Sequence, residues 1–216
     1  MLEIEKIVIG PVATNTYIVG DQESKQAVVI DPAWDGAVLA EKIRQLGWGI
    51  QSVWLTHAHF DHFGGLADLL TGLELSEHEG FFVGLHPKDM NLWRIKGGAI
   101  MFGVPMKSAP KPTHEFREGD LLSVGKYEFQ VHHTPGHSSG HVIFHCESEG
   151  ILFSGDLIFK QGIGRTDLLG GSFSTLMESI QKYVLSLPDE TRIYSGHGPE
   201  TTVGEERRLN PFIKNN

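Results

Sequence analysis

The chain is poor in cysteine, in long apolar runs and in basic charge. One cysteine, Cys146, stands in 216 residues, so no internal disulfide forms and a disulfide-stapled scaffold is excluded. No stretch approaches the roughly 18 apolar residues that a membrane span needs. The opening Met1-Leu2-Glu3-Ile4-Glu5-Lys6 lacks a basic segment followed by an apolar run. No signal peptide is read there, and a cytoplasmic location is expected. Lys and Arg number 18 against 27 Asp and Glu, a formal net charge of −9. Proteins that track a phosphate backbone cluster their basic residues, and here they are scattered. Neither nucleic acid nor a membrane is an expected partner. Repeats, low-complexity tracts and linkers are also missing. With 40% hydrophobic residues, residues 1–216 read as one domain with a sizeable core. What the chain has in quantity is histidine, twelve residues.

Short apolar runs punctuated by turn residues open the chain. Lys6-Ile7-Val8-Ile9 stops at Gly10-Pro11, Tyr17-Ile18-Val19 at Gly20-Asp21, and Ala27-Val28-Val29-Ile30 at Asp31-Pro32; each reads as a strand. Val38, Leu39, Ile43 and Leu46 have helical spacing before Gly47. Val53-Trp54-Leu55 is a short strand, and Leu66, Leu69 and Leu70 predict a brief helix ending near Gly72. Residues 89–102 read as a helix interrupted at Gly97-Gly98. Strands return at 120–133, 141–146 and 151–155. A helix capped by Ser172 is expected over 173–187, with Leu176, Ile180, Val184 and Leu187 on one face. Arg192-Ile193-Tyr194 is the last strand. This order predicts packed sheets with helices outside.

The histidines are organised. Thr56-His57-Ala58-His59-Phe60-Asp61-His62 places four potential ligands directly after a strand. In extended backbone His57 and His59 point the same way. Imidazole and carboxylate are the ligand set that suits Zn, Fe or Mn. A polar loop with capping histidines is the plain alternative, but burying Asp61 among them without a cation is costly. Three further segments repeat the placement: Thr134-Pro135-Gly136-His137, Phe153-Ser154-Gly155-Asp156 and Tyr194-Ser195-Gly196-His197. Each carries a glycine just before a His or Asp at a strand end, where reactive groups gather in layered folds.

His57-x-His59-x-Asp61-His62, followed by His137, Asp156 and His197, resembles the ligand pattern of the metallo-β-lactamase superfamily. The resemblance runs from Ile30-Asp31-Pro32 to Asn210-Pro211-Phe212. It implies an α/β fold, the αββα four-layer sandwich, with two divalent metal ions at one edge between the sheets. Zn is expected, with Fe or Mn as the other choices. His57, His59 and His137 would hold one ion, Asp61, His62 and His197 the other, and Asp156 would bridge them. Gly164-Arg165-Thr166-Asp167-Leu168, Gly170-Gly171 and Glu205-Glu206-Arg207-Arg208-Leu209-Asn210-Pro211-Phe212 resemble a single-domain branch of the glyoxalase II-like thioesterases. The implied activity is hydrolysis of small S-acyl thioesters such as S-lactoylglutathione by a hydroxide shared between the metals, with Asp61 orienting it or carrying a proton. Two-domain glyoxalase II binds glutathione through a helical C-terminal region, whereas 19 residues, 198–216, follow His197 here. Persulfide dioxygenases, which use a single iron, share much of the pattern and are the main alternative; a phosphodiesterase or nuclease of the same fold is a weaker one. His59 argues against flavodiiron proteins, and the bridging Asp156 argues against antibiotic hydrolysis.

Other residues carry secondary expectations. Asp31 is read as a hydrogen-bonding support for a ligating histidine. Arg165 and Asp167 are read as a pair at the mouth of the site, and Tyr194 as a substrate contact or a packed strand residue. Trp93, Met101, Phe102 and Met106 are candidates to cover the cleft and select an apolar acyl group, or are ordinary core. His78, His86, His114, His132, His133, His141 and His145 have no motif support, with the last three read as strand residues. Cys146 is expected to be an inert buried thiol.

Overall fold

The computed structural model describes residues 1–75 and 80–214; His78 lies outside them. The first sheet contains β1 (Leu2–Ile9), β2 (Thr14–Asp21), β3 (Gln26–Ile30), β4 (Gly49–Trp54), β5 (Phe82–Leu85) and β6 (His114–Glu115), paired in that order. Pairing is antiparallel as far as β3 and parallel from β3 to β6. The chain continues with β7 (Leu121–Val124), β8 (Tyr127–His133), β9 (Val142–Cys146), β10 (Ile151–Gly155), a small hairpin of β11 (Ile158–Phe159) and β12 (Gly162–Ile163), β13 (Arg192–Ser195) and β14 (Thr201–Thr202). The second sheet runs β14-β13-β10-β9-β8-β7, with β10 and β13 parallel. Parallel neighbours need long crossovers. These carry helices α1 (Gly36–Leu46), α2 (Phe60–Phe63), α3 (Leu66–Gly72), α4 (Met90–Arg94) and α5 (Phe173–Tyr183); α6 (Val203–Leu209) and α7 (Pro211–Lys214) close the chain.

Strand alternation builds the four layers. In β2 and β3, Tyr17, Val19, Val28 and Ile30 face the second sheet, where they meet Phe129, Val131, Phe144 and Phe153. Their neighbours Ile18 and Val29 face the other way, onto Leu39 and Ile43 of α1 and Leu66 and Leu69 of α3. In β9 and β10 the alternate residues Ile143 and Leu152 pack on Leu176 and Ile180 of α5. A side-chain period of two thus buries both faces of each sheet, the expected αββα arrangement.

Two expected helices are adjusted. Ser172 Oγ accepts from Thr175 N at 3.4 Å, as a cap should. That helix ends at Tyr183, four residues short of the expected end, with Val184 as its C-cap. The 89–102 segment is α4 followed by a 3-10 stretch, Lys96–Phe102, kinked at Gly97 and Gly98 with φ 61° and 79°. A Cβ on Gly97 would meet the backbone of Ala58, His59 and Phe60. This segment therefore lies directly on the His57–His62 loop. The C-terminal Glu206 is structural: its buried carboxylate accepts from Gln161 N, Thr201 Oγ1 and Asn210 Nδ2 at 2.6–2.8 Å.

β3 and β4 run parallel in one sheet, and β8, β10 and β13 share a direction in the other. The loops after these strands hold Asp31, His57–His62, His137, Asp156 and His197. Two backbone bonds tie the sheets at this edge: Val142 N donates to Thr56 O at 2.8 Å, and Asn15 N to Gly196 O at 2.7 Å. Crevices at the carboxyl ends of strands are where ligands bind in α/β folds.

Candidate metal centre

The structure brings the seven expected ligand residues together, six of them in two adjoining donor sets and Asp156 between the two. His57, His59 and His137 form one, and Asp61, His62 and His197 the other. In the first, His137 Nε2 lies 3.2 Å from His57 Nε2 and 2.8 Å from His59 Nδ1. In the second, Asp61 Oδ2 lies 3.5 Å from His62 Nε2 and 3.3 Å from His197 Nε2. Asp156 stands between them. Its Oδ1 is 3.3 Å from His62 Nε2, and its Oδ2 is 3.6 Å from His137 Nε2 and 3.5 Å from His197 Nε2.

The hydrogen bonds behind these rings fix which nitrogens are bare. His137 Nδ1 donates to the Arg165 carbonyl at 2.8 Å. Asp31 Oδ2 accepts from His62 Nδ1 at 2.8 Å and from Thr56 Oγ1 at 2.7 Å. With its proton given to Asp31, the Thr56 hydroxyl accepts from His57 Nδ1 at 3.0 Å. In their neutral forms His57 and His137 therefore aim two lone pairs at each other. That arrangement is repulsive unless a cation lies between them, and back-side pinning of this kind is how metal-binding imidazoles are held. Asp31, His57 and His62 also lie within reach of one another, but Asp31 faces the Nδ1 side and serves as the expected support. Its φ of 50° is strained backbone for a non-glycine residue, and such strain concentrates at functional sites.

Charge gives a second test of fit. Burial opposes ionisation of His62, yet the carboxylates of Asp156, Asp61 and Asp31 push its pKa well above the ordinary value. His197 is pushed up to about 9, against its own burial, by Asp156 and Asp61. Burial and the neighbouring imidazoles hold His57 well below the usual range. His59 falls to about 3, chiefly through burial and then through His137. The Asp61 and Asp156 carboxyls are held down despite burial by the facing histidines. Without a metal, protons on His62 and His197 neutralise the two carboxylates. His62 Nε2 and Asp156 Oδ1 nonetheless lack hydrogen-bond partners among the described residues. Buried polar atoms without partners are costly, and divalent cations fit this donor set.

Several supports carried no motif. His141, expected as a plain strand residue, is buried; its Nε2 accepts from Asp156 N at 3.1 Å and its Nδ1 donates to Thr134 Oγ1 at 2.8 Å. Buried Asp89 accepts from Ala58 N at 3.0 Å, Ser138 Oγ at 2.7 Å and Gly140 N at 2.6 Å, which joins the His57–His59 loop to the His137 loop. Thr14 Oγ1 donates to Asp61 Oδ2 at 3.2 Å, and Asn15 Nδ2 to the Ser195 and Gly198 carbonyls on either side of His197. Thr14 and Asn15 open β2 and Asp89 ends the turn after β5, placements that no motif in the sequence marks.

The secondary expectations divide. Arg165 and Asp167 pair at the mouth with two 2.7 Å hydrogen bonds, but the Arg165 carbonyl is what touches a ligand histidine. Tyr194 corrects the substrate-contact reading. Strand alternation turns it into the inter-sheet core beside Tyr17 and Phe153, and its hydroxyl accepts from Arg192 Nη1 at 3.1 Å. Trp93 stacks on Phe63 and Met106 packs on the helix-side core, whereas Phe102 lines the metal cleft and Met101 a chamber beside it. His86 stacks on His133 with ring centroids 4.1 Å apart.

With this geometry in place, residues 9–197 match the family model of the metallo-beta-lactamase superfamily. The chain belongs to this superfamily. Over 95% of its length it is 36% identical to the probable metallo-hydrolase YqgX of Bacillus subtilis, covering 94% of that protein. It is 35% identical to the hydroxyacylglutathione hydrolase GloC of Haemophilus influenzae, covering 98% of both chains. Among solved structures, the BLEG-1 B3 metallo-beta-lactamase superposes with a TM-score of 0.89 at 36% identity, over 98% of this chain and 99% of that one. TTHA1623 in a di-iron-bound form gives 0.86 at 39%, over 96% and 99%. ETHE1 from Myxococcus xanthus gives 0.76 at 28%, over 97% and 83%. No described helix is long and apolar enough to cross a membrane.

Proposed function

We propose that this member of the superfamily is a two-metal thioester hydrolase of the glyoxalase II-like kind. The carrying observation is Asp156, whose carboxylate reaches both donor sets at 3.3–3.6 Å. His57, His59 and His137 would hold one ion and Asp61, His62 and His197 the other, with Asp156 within reach of both sets. The similarity to the H. influenzae hydroxyacylglutathione hydrolase supports the substrate class, and the di-iron form of TTHA1623 supports a count of two. Zn is the proposed metal, with Fe or Mn as the other choices that this ligand set accepts.

Bound metals supply a water of lowered pKa and a Lewis acid for the carbonyl oxygen. The chain supplies the rest. Thr14 Oγ1 holds Asp61 Oδ2 at the cleft, where the carboxylate would orient the water and could take its proton. Phe102 and Leu168 line the same cleft and limit bulk water. The leaving thiol has a pKa near 8.5, so its departure needs little acid assistance.

The test is metal content measured together with anaerobic turnover of S-lactoylglutathione. Two ions per chain with thiol release in the absence of oxygen is the expected result. A second reading, a mononuclear iron persulfide dioxygenase, is favoured by the complete His57, His59 and His137 set, and the likeness to ETHE1 fits it as well. One iron per chain, with oxygen uptake on glutathione persulfide and no anaerobic thiol release, would replace the first reading with it. The BLEG-1 likeness makes a chromogenic β-lactam a necessary third substrate; rapid β-lactam turnover without thioester cleavage refutes both.

A further inference from the structure

The metal cleft, about 180 Å³, opens beside a second chamber of about 110 Å³. His59, Gly97, Phe102 and Leu168 line both, so the two share a wall. The second chamber is completed chiefly by Leu92, Ile95, Met101 and Leu169. Several of these side chains are unusually open to solvent for their type: Met101 is 76% and Leu169 66% exposed, and Ile100 beside them 84%. Isolated exposed apolar residues are ordinary, but a contiguous group at the rim of a reactive cleft marks a binding surface.

Charge at the same place points in one direction. Among the described residues lining the two chambers, Arg165 is the one Lys or Arg; it lines the metal cleft, and its Nε and Nη2 are paired with Asp167. Arg94, Lys96, Lys107 and Lys111 line a separate cavity. Glutathione brings carboxylates that need cationic or multiple N–H partners, whereas the described residues of the second chamber include no Lys or Arg but do include Asp167. We infer that the chamber takes an uncharged apolar group of the substrate, carried on either the acyl or the thiol side of the reacting bond. This rests on the thioester reading for the identity of that bond. With roughly 30 Å³ for a water-sized group, the volume suits about four methylenes.

Two measurements separate the inference from the hydrolase reading. The first is thiol release from acetyl to octanoyl thioesters of N-acetylcysteamine, and from acetyl thioesters of alkanethiols of increasing length. The second is calorimetric binding of uncleavable alkyl thioethers of N-acetylcysteamine. Each methylene is expected to raise kcat/KM and binding by about four-fold, the equivalent of about 0.8 kcal/mol. The rise should level off after about four, in whichever series carries the chain into the chamber. Met101→Ser and Leu169→Ser should flatten the slope. Flat profiles in both series, with S-lactoylglutathione the better substrate, overturn the inference and leave the hydrolase standing. Graded thioether binding without cleavage of any thioester does the reverse. Self-association that Met101→Ser abolishes, together with flat profiles, assigns the face to a second copy of the chain and also overturns it.

Discussion

Asp89→Asn tests how the first donor set is held. Asp89 Oδ2 accepts from Ala58 N and Ser138 Oγ, and Oδ1 from Gly140 N. An asparagine oxygen in the Oδ2 position keeps two of these bonds. Its amide nitrogen then faces the Gly140 N–H, donor against donor. The lost bond was charge-assisted, about 1.5–3 kcal/mol, and the stranded buried N–H costs about 1–3 kcal/mol more. Part of this is returned, because burial has raised the Asp89 pKa and a neutral group relieves that penalty. A net loss of about 3 kcal/mol is expected, which for a chain of this size lowers Tm by roughly 6–12 °C. Function should suffer through geometry. Gly140 closes the loop that carries His137, so repelling its N–H draws that loop away from Asp89 and loosens the 3.2 Å approach of His57 Nε2 to His137 Nε2. Losing such a support costs about 10–100-fold in metal affinity. Thermal unfolding and metal titration against a competing chelator measure the two effects. A variant that is destabilised but binds both ions with unchanged affinity would refute the positioning role; one with unchanged Tm would refute the hydrogen-bond accounting.

Gly196→Ala should cost the second ion. A Cβ there would sit 2.7 Å from His62 Cε1 and closer still to Asp156 Oδ1, so metal analysis should find about one ion per chain, and a full complement would refute the close-approach argument. The metal-free chain should lose stability from about pH 6.5 upward through about 9. His62 and His197 have folded pKa values above the unfolded one, so their contribution is complete below the unfolded value near 6.5 and fades as pH rises through the folded value. Metal binding displaces those same protons, so apparent affinity should rise over that interval; affinity independent of pH there would contradict the charge reading. Arg165→Ala should change metal affinity less than about three-fold and leave Tm nearly unchanged, since the exposed ion pair is weak and the carbonyl that holds His137 stays. A ten-fold loss of affinity in a metal titration would show that the side chain matters.

The local chemistry was legible in the sequence because backbone geometry alone carries it. His57 and His59, two apart after a strand, must share a face, and a His or Asp after Gly136, Gly155 and Gly196 marks three more strand ends. Alternation in Tyr17-Ile18-Val19 and Val28-Val29-Ile30 announced sheets buried on both faces. Which ends meet is a different kind of fact. β3 and β4 must run parallel with each other, and β8, β10 and β13 must share a direction, before Asp31, His57, His137, Asp156 and His197 occupy one edge. Sequence spacing does not encode those pairings. Asp89, Thr14, Asn15 and His141 were unreadable for the same reason: each acts on a backbone group or ligand 15 to 183 residues away. Tyr194 shows the converse. Its residue type suited a substrate contact, and only its strand face decided that it packs instead. The apolar chamber was legible in part: residue type made Met101 and Phe102 candidates to cover the cleft, but the Gly97 kink that lays their segment across the metal-binding loop, and the loop that brings Leu168 and Leu169 beside them, belong to the tertiary structure.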